Sequence, residues 1–164
     1  MIIADINKLR EPCQFANIFE AQGIINQLEE YLRQDQSGVG LASPQIGIQK
    51  KVCIIRHKDM KINFVNPKIL QQYDLMEFHE EGCLSFPNSY VSTKRYNEIV
   101  VSDLINGKII LIGFEAVIAQ HEIGHLNGEV MFDYEIKIPK LNALCWCGNK
   151  KKYKDCHNKK VIKI

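Results

Sequence analysis

The stretch from residue 98 to residue 126 constrains the fold more than any other. Residues 98–105 are rich in β-branched side chains, Asn106-Gly107 is a dipeptide favoured in two-residue hairpin turns, and residues 108–112 form a second apolar, β-branched run. An antiparallel hairpin is expected, leading into a helix over Phe114–Leu126 that Asn127-Gly128 stops as a C-cap. Earlier, residues 51–56 and 62–65 read as short strands. Asn17 and Glu20 form a capping box for an amphipathic helix over 17–34, with Ile18, Ala21, Ile25, Leu28 and Leu32 on one face. Strands that cluster before one late helix point to an α+β fold rather than an alternating α/β one.

With 164 residues, 46% apolar and 24% charged, the chain has enough apolar material for one compact domain with a short appendage. The longest nearly uncharged stretch, 109–120, is interrupted by Glu115 and is far shorter than the roughly 20 residues a membrane helix needs. The first residues include Asp5 and lack a basic start followed by an apolar run, so a cytoplasmic protein without membrane association is expected. The net charge of +2 conceals an asymmetry. Residues 1–144 hold 14 Lys+Arg against 18 Asp+Glu, a net of −4; residues 145–164 hold seven lysines (150, 151, 152, 154, 159, 160 and 163) against Asp155, a net of +6. Such a basic tail suits an anionic partner, or serves solubility alone.

The late helix carries His121-Glu122-Ile123-Gly124-His125. Residues four apart share a helix face, so both imidazoles reach one metal ion while Glu122, one position round, reaches a water beside it. Alternatively, both histidines are polar residues of a surface helix. A catalytic site needs a third protein ligand, and no His follows His125 before His157. Upstream, Cys83 stands in a predicted loop between Gly82 and Pro87. His57, His79, Cys13 and Cys53 carry no motif.

Three segments, Gly38-Val-Gly-Leu-Ala-Ser-Pro-Gln45, Glu81-Gly-Cys-Leu-Ser85 and Gln120-His-Glu-Ile-Gly-His-Leu126, together resemble the three motifs of the peptide deformylases in the same order. The resemblance runs from about residue 38 to 134. It departs at Ser43, where the family usually has Ala, and at Gly124, where it usually has Asp, which removes a carboxylate from the metal surroundings. The resemblance implies antiparallel sheets packed around a central helix that bears the HExxH motif. It implies a metal held by Cys83, His121 and His125: iron(II) in the cell, with zinc, nickel or cobalt compatible with the same donors. It also implies hydrolysis of the formyl group of N-formylmethionyl peptides, a co-translational step of protein biosynthesis that releases formate. Glu122 would move the proton, while the Gln45 amide and the backbone N–H of Leu84 would stabilise the oxyanion.

The face Phe114, Val117, Ile118 and His121 leads to the metal and would line a methionine-sized pocket closed by Val39 and Leu41, although such a stripe is equally a core stripe. Gly38, Gly40 and Gly82 would let a peptide backbone run alongside as an added strand. Two other readings compete: a zincin-type endopeptidase, and a zinc-binding adaptor that has lost catalysis, with Gly124 as its support.

Cys145-Trp-Cys147 and Cys156-His157 supply four soft ligands, enough for a structural zinc in a segment too small to fold without one. Disulfides are the alternative, and a reducing compartment disfavours them. The segment resembles the SEC-C zinc-binding tail of the preprotein-translocase ATPase, with Asn149 and Lys150 in place of its usual Ser-Gly. That resemblance implies docking to a chaperone or to the ribosome through rRNA phosphates. The expected organisation is a catalytic body over 1–140 and a basic zinc-knuckle tail over 141–164, acting as a monomer.

Overall fold

The computed structural model describes residues 1–35, 37–159 and 161–162. Helix α1 (Ile6–Leu9) precedes α2 (Ile18–Gln34), then strands β1 (Gly40–Ala42), β2 (Val52–His57), β3 (Met60–Val65), β4 (Lys68–Cys83), β5 (Phe86–Asp103) and β6 (Gly107–Ile112), helix α3 (Phe114–Leu126) and the short β7 (Val161–Ile162). No described helix is long and apolar enough to cross a membrane.

The capping box forms. Asn17 Oδ1 accepts from the Phe19 and Glu20 amides at 3.0 and 2.9 Å, and Glu20 Oε1 accepts from the Asn17 amide at 2.9 Å. The buried face of α2 is Ala21, Ile24, Ile25, Leu28 and Leu32. Ile18, assigned to that face from its spacing, is 49% exposed, and Ile24 fills the stripe instead.

Strands β1, β2 and β3 form one antiparallel sheet, and β6, β5, β4 and β7 form the second in that order. Its first three strands are antiparallel; β7 adds to β4 in parallel, opposite Glu77 and Phe78, a departure from the purely antiparallel expectation. The apolar run of β2 is buried on both faces. Val52 and Ile54 pack towards α2, Cys53 and Ile55 towards α3. Ten of the 13 residues of α3 are buried, so the helix has no solvent face of its own. Its side chains share a cluster with Phe64 of the first sheet and Ile99, Val101 and Leu111 of the second. Gln120 fixes the helix to β5, accepting from the Tyr96 amide at 2.9 Å and donating to the Tyr96 carbonyl at 2.8 Å.

Two further expectations need correction. The hairpin turn is not Asn106-Gly107 alone. Strand β5 ends at Asp103, which pairs with Gly107, leaving a three-residue loop over 104–106. Asp103 Oδ1 accepts from the Ile105 and Asn106 amides, and Gly107 takes the left-handed conformation with φ +66°. Cys83 is also not in a loop: it ends β4 and pairs with Phe86 across a tight turn. Register irregularities at Phe78/Glu81 and Glu81/Cys83 bend the strand just ahead of it, which re-aims both Glu81 and Cys83.

Candidate metal centre and substrate cavity

Helix α3 presents His121 and His125 one turn apart, and the end of β4 brings Cys83 beneath them. His125 Nε2 lies 3.3 Å from Cys83 Sγ and 3.2 Å from His121 Nε2, and the three ligand atoms all fall within 4.8 Å of one another. Metal–ligand bonds of about 2.0–2.3 Å at a tetrahedral angle subtend edges of about 3.3–3.7 Å, so the donor set fits one ion. Burial pushes the His125 pKa well down, which keeps the ring neutral. Its Nδ1 is buried without a hydrogen-bond partner.

Glu81 orients His121. Its Oε1 lies 2.7 Å from His121 Nδ1, which assigns the proton to Nδ1 and turns the Nε2 lone pair to the cluster. The carboxylate is 3% exposed and also accepts from Thr93 Oγ1 at 2.6 Å, from Arg95 Nε at 2.8 Å and from Arg95 Nη2. Burial alone would raise its pKa, but the bonds from His121 and Arg95, together with the Arg95 charge, outweigh burial and hold it far below the usual carboxylate range. Arg95 in turn lies 4.1 Å over the Tyr134 ring, whose hydroxyl donates to Glu129. A Cβ at Gly124 would meet Glu129 Oε2 at 3.7 Å. The Glu129 carboxylate thus stands beside residue 124.

Glu122 is 4% exposed and its Oε2 has no hydrogen-bond partner. Burial raises its pKa to about 7, against the lowering influence of His121. A Cβ at Gly40 would sit 2.5 Å from Glu122 Oε1 and 2.9 Å from Ile118 Cγ2, so this approach of β1 to α3 requires glycine. Gln45 lies in the turn of 3₁₀ helix after β1. Its Oε1 accepts from the Ala42 amide at 2.9 Å, which leaves Nε2 facing Ser85 Oγ at 3.2 Å and Cys83 Sγ at 3.5 Å.

These groups open into a cavity of about 650 Å³. Cys83, Leu84, Gln45, His121 and Glu122 reach it. So do Gly38, Val39, Gly40 and Gly82 from the strand side, and Phe114, Val117 and Ile118 from the helix. Leu41 does not: it is fully buried and packs with Leu28, Leu32 and Ile54 beneath α2, because β1 turns that side chain away from its neighbours. Phe78 and His57, which sequence reasoning passed over, also line the cavity. Phe78 stacks on Phe114 with centroids 5.7 Å apart, and the Phe114 and His57 rings meet edge to face. Arg95 and Thr93 were missed as well. Strand alternation places them on the Glu81 side, but only the register of β4 on β5 makes that visible. His79 lies on the far face of β4, 3.6 Å from Glu77.

A second cluster lies in the tail. Cys145, Cys147, Cys156 and His157 bring their ligand atoms within 4.8 Å of one another. His157 Nδ1 is 3.3 Å from Cys145 Sγ and 3.1 Å from Cys156 Sγ, while Cys147 and Cys156 sulfurs are 3.7 Å apart, far beyond a disulfide bond. His157 Nε2 donates to the Leu75 carbonyl at 3.0 Å, which leaves Nδ1 to the thiols. Lys150, Lys151, Lys152 and Lys154 are exposed, whereas Lys160 and Lys163 lie outside the described residues.

The model of the polypeptide deformylases matches residues 2–140. Peptide deformylase 1 of Vibrio vulnificus is 37% identical over 128 residues, 74% of this chain and 76% of its own. Among solved structures, a peptide deformylase from Synechococcus elongatus in complex with actinonin superposes with a TM-score of 0.75 at 30% identity, covering 84% of this chain and 78% of that one. A peptide deformylase from Legionella pneumophila gives 0.74 at 33% identity, covering 83% and 85%. The chain therefore belongs to the polypeptide deformylase family, hydrolases that remove the formyl group from the N-terminus of nascent polypeptides.

Proposed function

We propose that Cys83, His121 and His125 hold the catalytic ion, iron(II) in the cell, and that Glu122, Gln45 and Leu84 carry the chemistry around it. The observation that carries this reading is the convergence of the three donors beside a buried, unpartnered Glu122 carboxylate at the floor of the cavity. A divalent ion there supplies a Lewis acid and a nucleophilic water at neutral pH, and zinc, nickel or cobalt suit the same donors. Glu122 takes the proton of the attacking water and returns it to the departing amine, a task open to a buried carboxylate whose Oε2 has no other partner. Gln45 Nε2, its orientation set by the Ala42 amide, donates to the formyl oxygen as charge develops, together with the backbone N–H of Leu84 in the turn after Cys83. Phe114, Val117, Ile118 and Val39 receive the methionine side chain. Gly38, Gly40 and Gly82 leave room for the peptide backbone. The third donor, Cys83, comes from a strand and not from a residue after His125, which speaks against the endopeptidase alternative.

The test is formate release from a formyl-Met-Ala-Ser peptide, measured anaerobically with iron(II), for the native protein beside Glu122→Ala. Release by the first alone is expected. Equal release by both overturns the role of Glu122.

The tail reading has its own support. Sulfur–sulfur and sulfur–nitrogen separations of 3.1–3.7 Å suit four ligands of one zinc ion. We take 1–140 as the catalytic body and 141–164 as a basic zinc-binding tail of a monomeric, cytoplasmic enzyme. Four exposed lysines offer rRNA phosphates or an acidic chaperone surface a docking face. Co-sedimentation with ribosomes should weaken when Lys150, Lys151, Lys152 and Lys154 are changed to Gln, and equal binding at several salt concentrations would overturn ribosome docking.

A further inference from the structure

The tail does not hang free of the body. Glu77 of β4 is completely buried, and both donors on its carboxylate come from the tail: Trp146 Nε1–H bonds to Oε1, and the Tyr153 hydroxyl to Oε2 at 2.5 Å. His157 reaches the Leu75 carbonyl two residues back on the same face of the strand, and β7 pairs with Glu77 and Phe78. Among the described residues, the only other group facing the carboxylate at ion-pair distance is His79 Nε2, at 3.6 Å and without a hydrogen bond.

Strand alternation puts Met76 and Phe78 on the opposite face of β4. There they form a small apolar cluster with Val117 and Phe114, and Phe78, Val117 and Phe114 all line the substrate cavity. The cavity wall is therefore one strand thick: substrate side chain on one face, tail on the other. Among the described residues, none of the three apolar clusters includes a tail residue. The tail has no core of its own, and what orders it is the Cys/His cluster together with the contacts to β4.

We propose that the tail is a metal-dependent clamp on β4, and that Glu77 is the positioning residue through which it fixes the Phe78 wall of the substrate cavity. The metal dependence rests on reading the four-ligand cluster as a zinc site. With zinc bound, Trp146 and Tyr153 hold Glu77 and the strand is fixed. Without zinc, the donors leave, the carboxylate hydrates, and Phe78 loses its backing while the Glu81–His121 contact and the donors around Glu122 stay in place.

The test uses the full chain and three readouts: metal ions per chain, the emission of Trp146, the sole tryptophan, and KM and kcat for formyl-Met-Ala-Ser. The native protein should hold two ions. Glu77→Ala should keep both, shift Trp146 emission to the red and raise KM by about 3- to 10-fold, with kcat within about 2-fold. Glu77→Gln, which keeps an acceptor, should recover most of that loss. Cys147→Ser with Cys156→Ser should hold one ion and reproduce the KM rise. If Glu77→Ala does not fold, Tyr153→Phe, which removes a single hydroxyl, should move KM in the same direction by less.

A wild-type KM in folded Glu77→Ala overturns the clamp, whatever the metal count. One ion in the native protein, with Glu77→Ala still raising KM, overturns the zinc reading and upholds the Glu77 contact. An unchanged KM in the double cysteine variant that has lost its ion overturns the metal dependence.

Discussion

Replacing Glu122 by Gln should abolish turnover and yet stabilise the metal-free protein in a pH-dependent way. The carboxyl is buried, Oε2 has no partner, and its pKa moves from an ordinary 4.5 to about 7 on folding. A carboxyl with a raised folded pKa costs no stability while it is protonated in both states, below about 4.5. It costs progressively more as pH rises from about 4.5 to about 7, because the unfolded chain ionises first, and the cost then levels off. The gap corresponds to about 3 kcal/mol once both states are ionised. Urea unfolding of the metal-free native protein and Glu122→Gln, at pH 5 and at pH 8, brackets this effect. The variant should be more stable by under about 1 kcal/mol at pH 5 and by about 3 kcal/mol at pH 8. A difference of the same size at both pH values would refute the argument, since it would mean that the charge on Glu122 is not what burial opposes.

Three other outcomes follow from the geometry. Gly40→Ala should leave the protein folded but lower kcat by about 100-fold by driving a methyl group into Glu122; native kcat would show that the carboxylate is free to move aside. Gly124→Ala should raise stability by about 0.5–1 kcal/mol, because its Cβ finds ordinary contact distances to Glu129 in a helix interior, and a thermal scan should show a Tm about 1–4 °C higher. A lower Tm would mean that Glu129 needs the space. Gln45→Ala should lose about 100- to 1,000-fold in kcat with metal content unchanged, and a loss confined to KM would assign Gln45 to substrate binding instead.

Elements whose signals are local could be read from the sequence. The Asn17 cap with Glu20 set the start of α2, and Asn127-Gly128 set the end of α3. Strand β4 could not be read this way. Its first half is exposed apart from Ile69, so Lys68 to Asp74 show no period-two stripe, and its buried half includes Glu77, a residue type that ordinarily marks a solvent face. The same limit applies to the site. The motif residues announce themselves by spacing along one helix, whereas Arg95 and Thr93 meet Glu81 only through the β4–β5 register, and Tyr134 and Glu129 meet Arg95 and Gly124 through a later turn. Leu41 shows the complementary error: it directly follows Gly38, Val39 and Gly40, which line the cavity, but a strand sends it to the core.

Glu81 accepts hydrogen bonds from Thr93, from two nitrogens of Arg95 and from His121, so polypeptide holds the His121 ring in place and the ion does not have to. A frame that stands before the ion arrives accepts any ion whose size and preferred geometry it already fits, and one thiolate with two imidazoles suits iron(II), zinc, nickel and cobalt alike. Ions of similar radius should exchange through it without refolding, and the one retained will follow the relative abundance of free metals in the cell and the intrinsic preference of one thiolate and two imidazoles. Enzyme recovered from cells grown on different metal supplies should accordingly differ in the ion it carries, and hence in turnover and in sensitivity to oxygen, while the polypeptide around the ion stays the same.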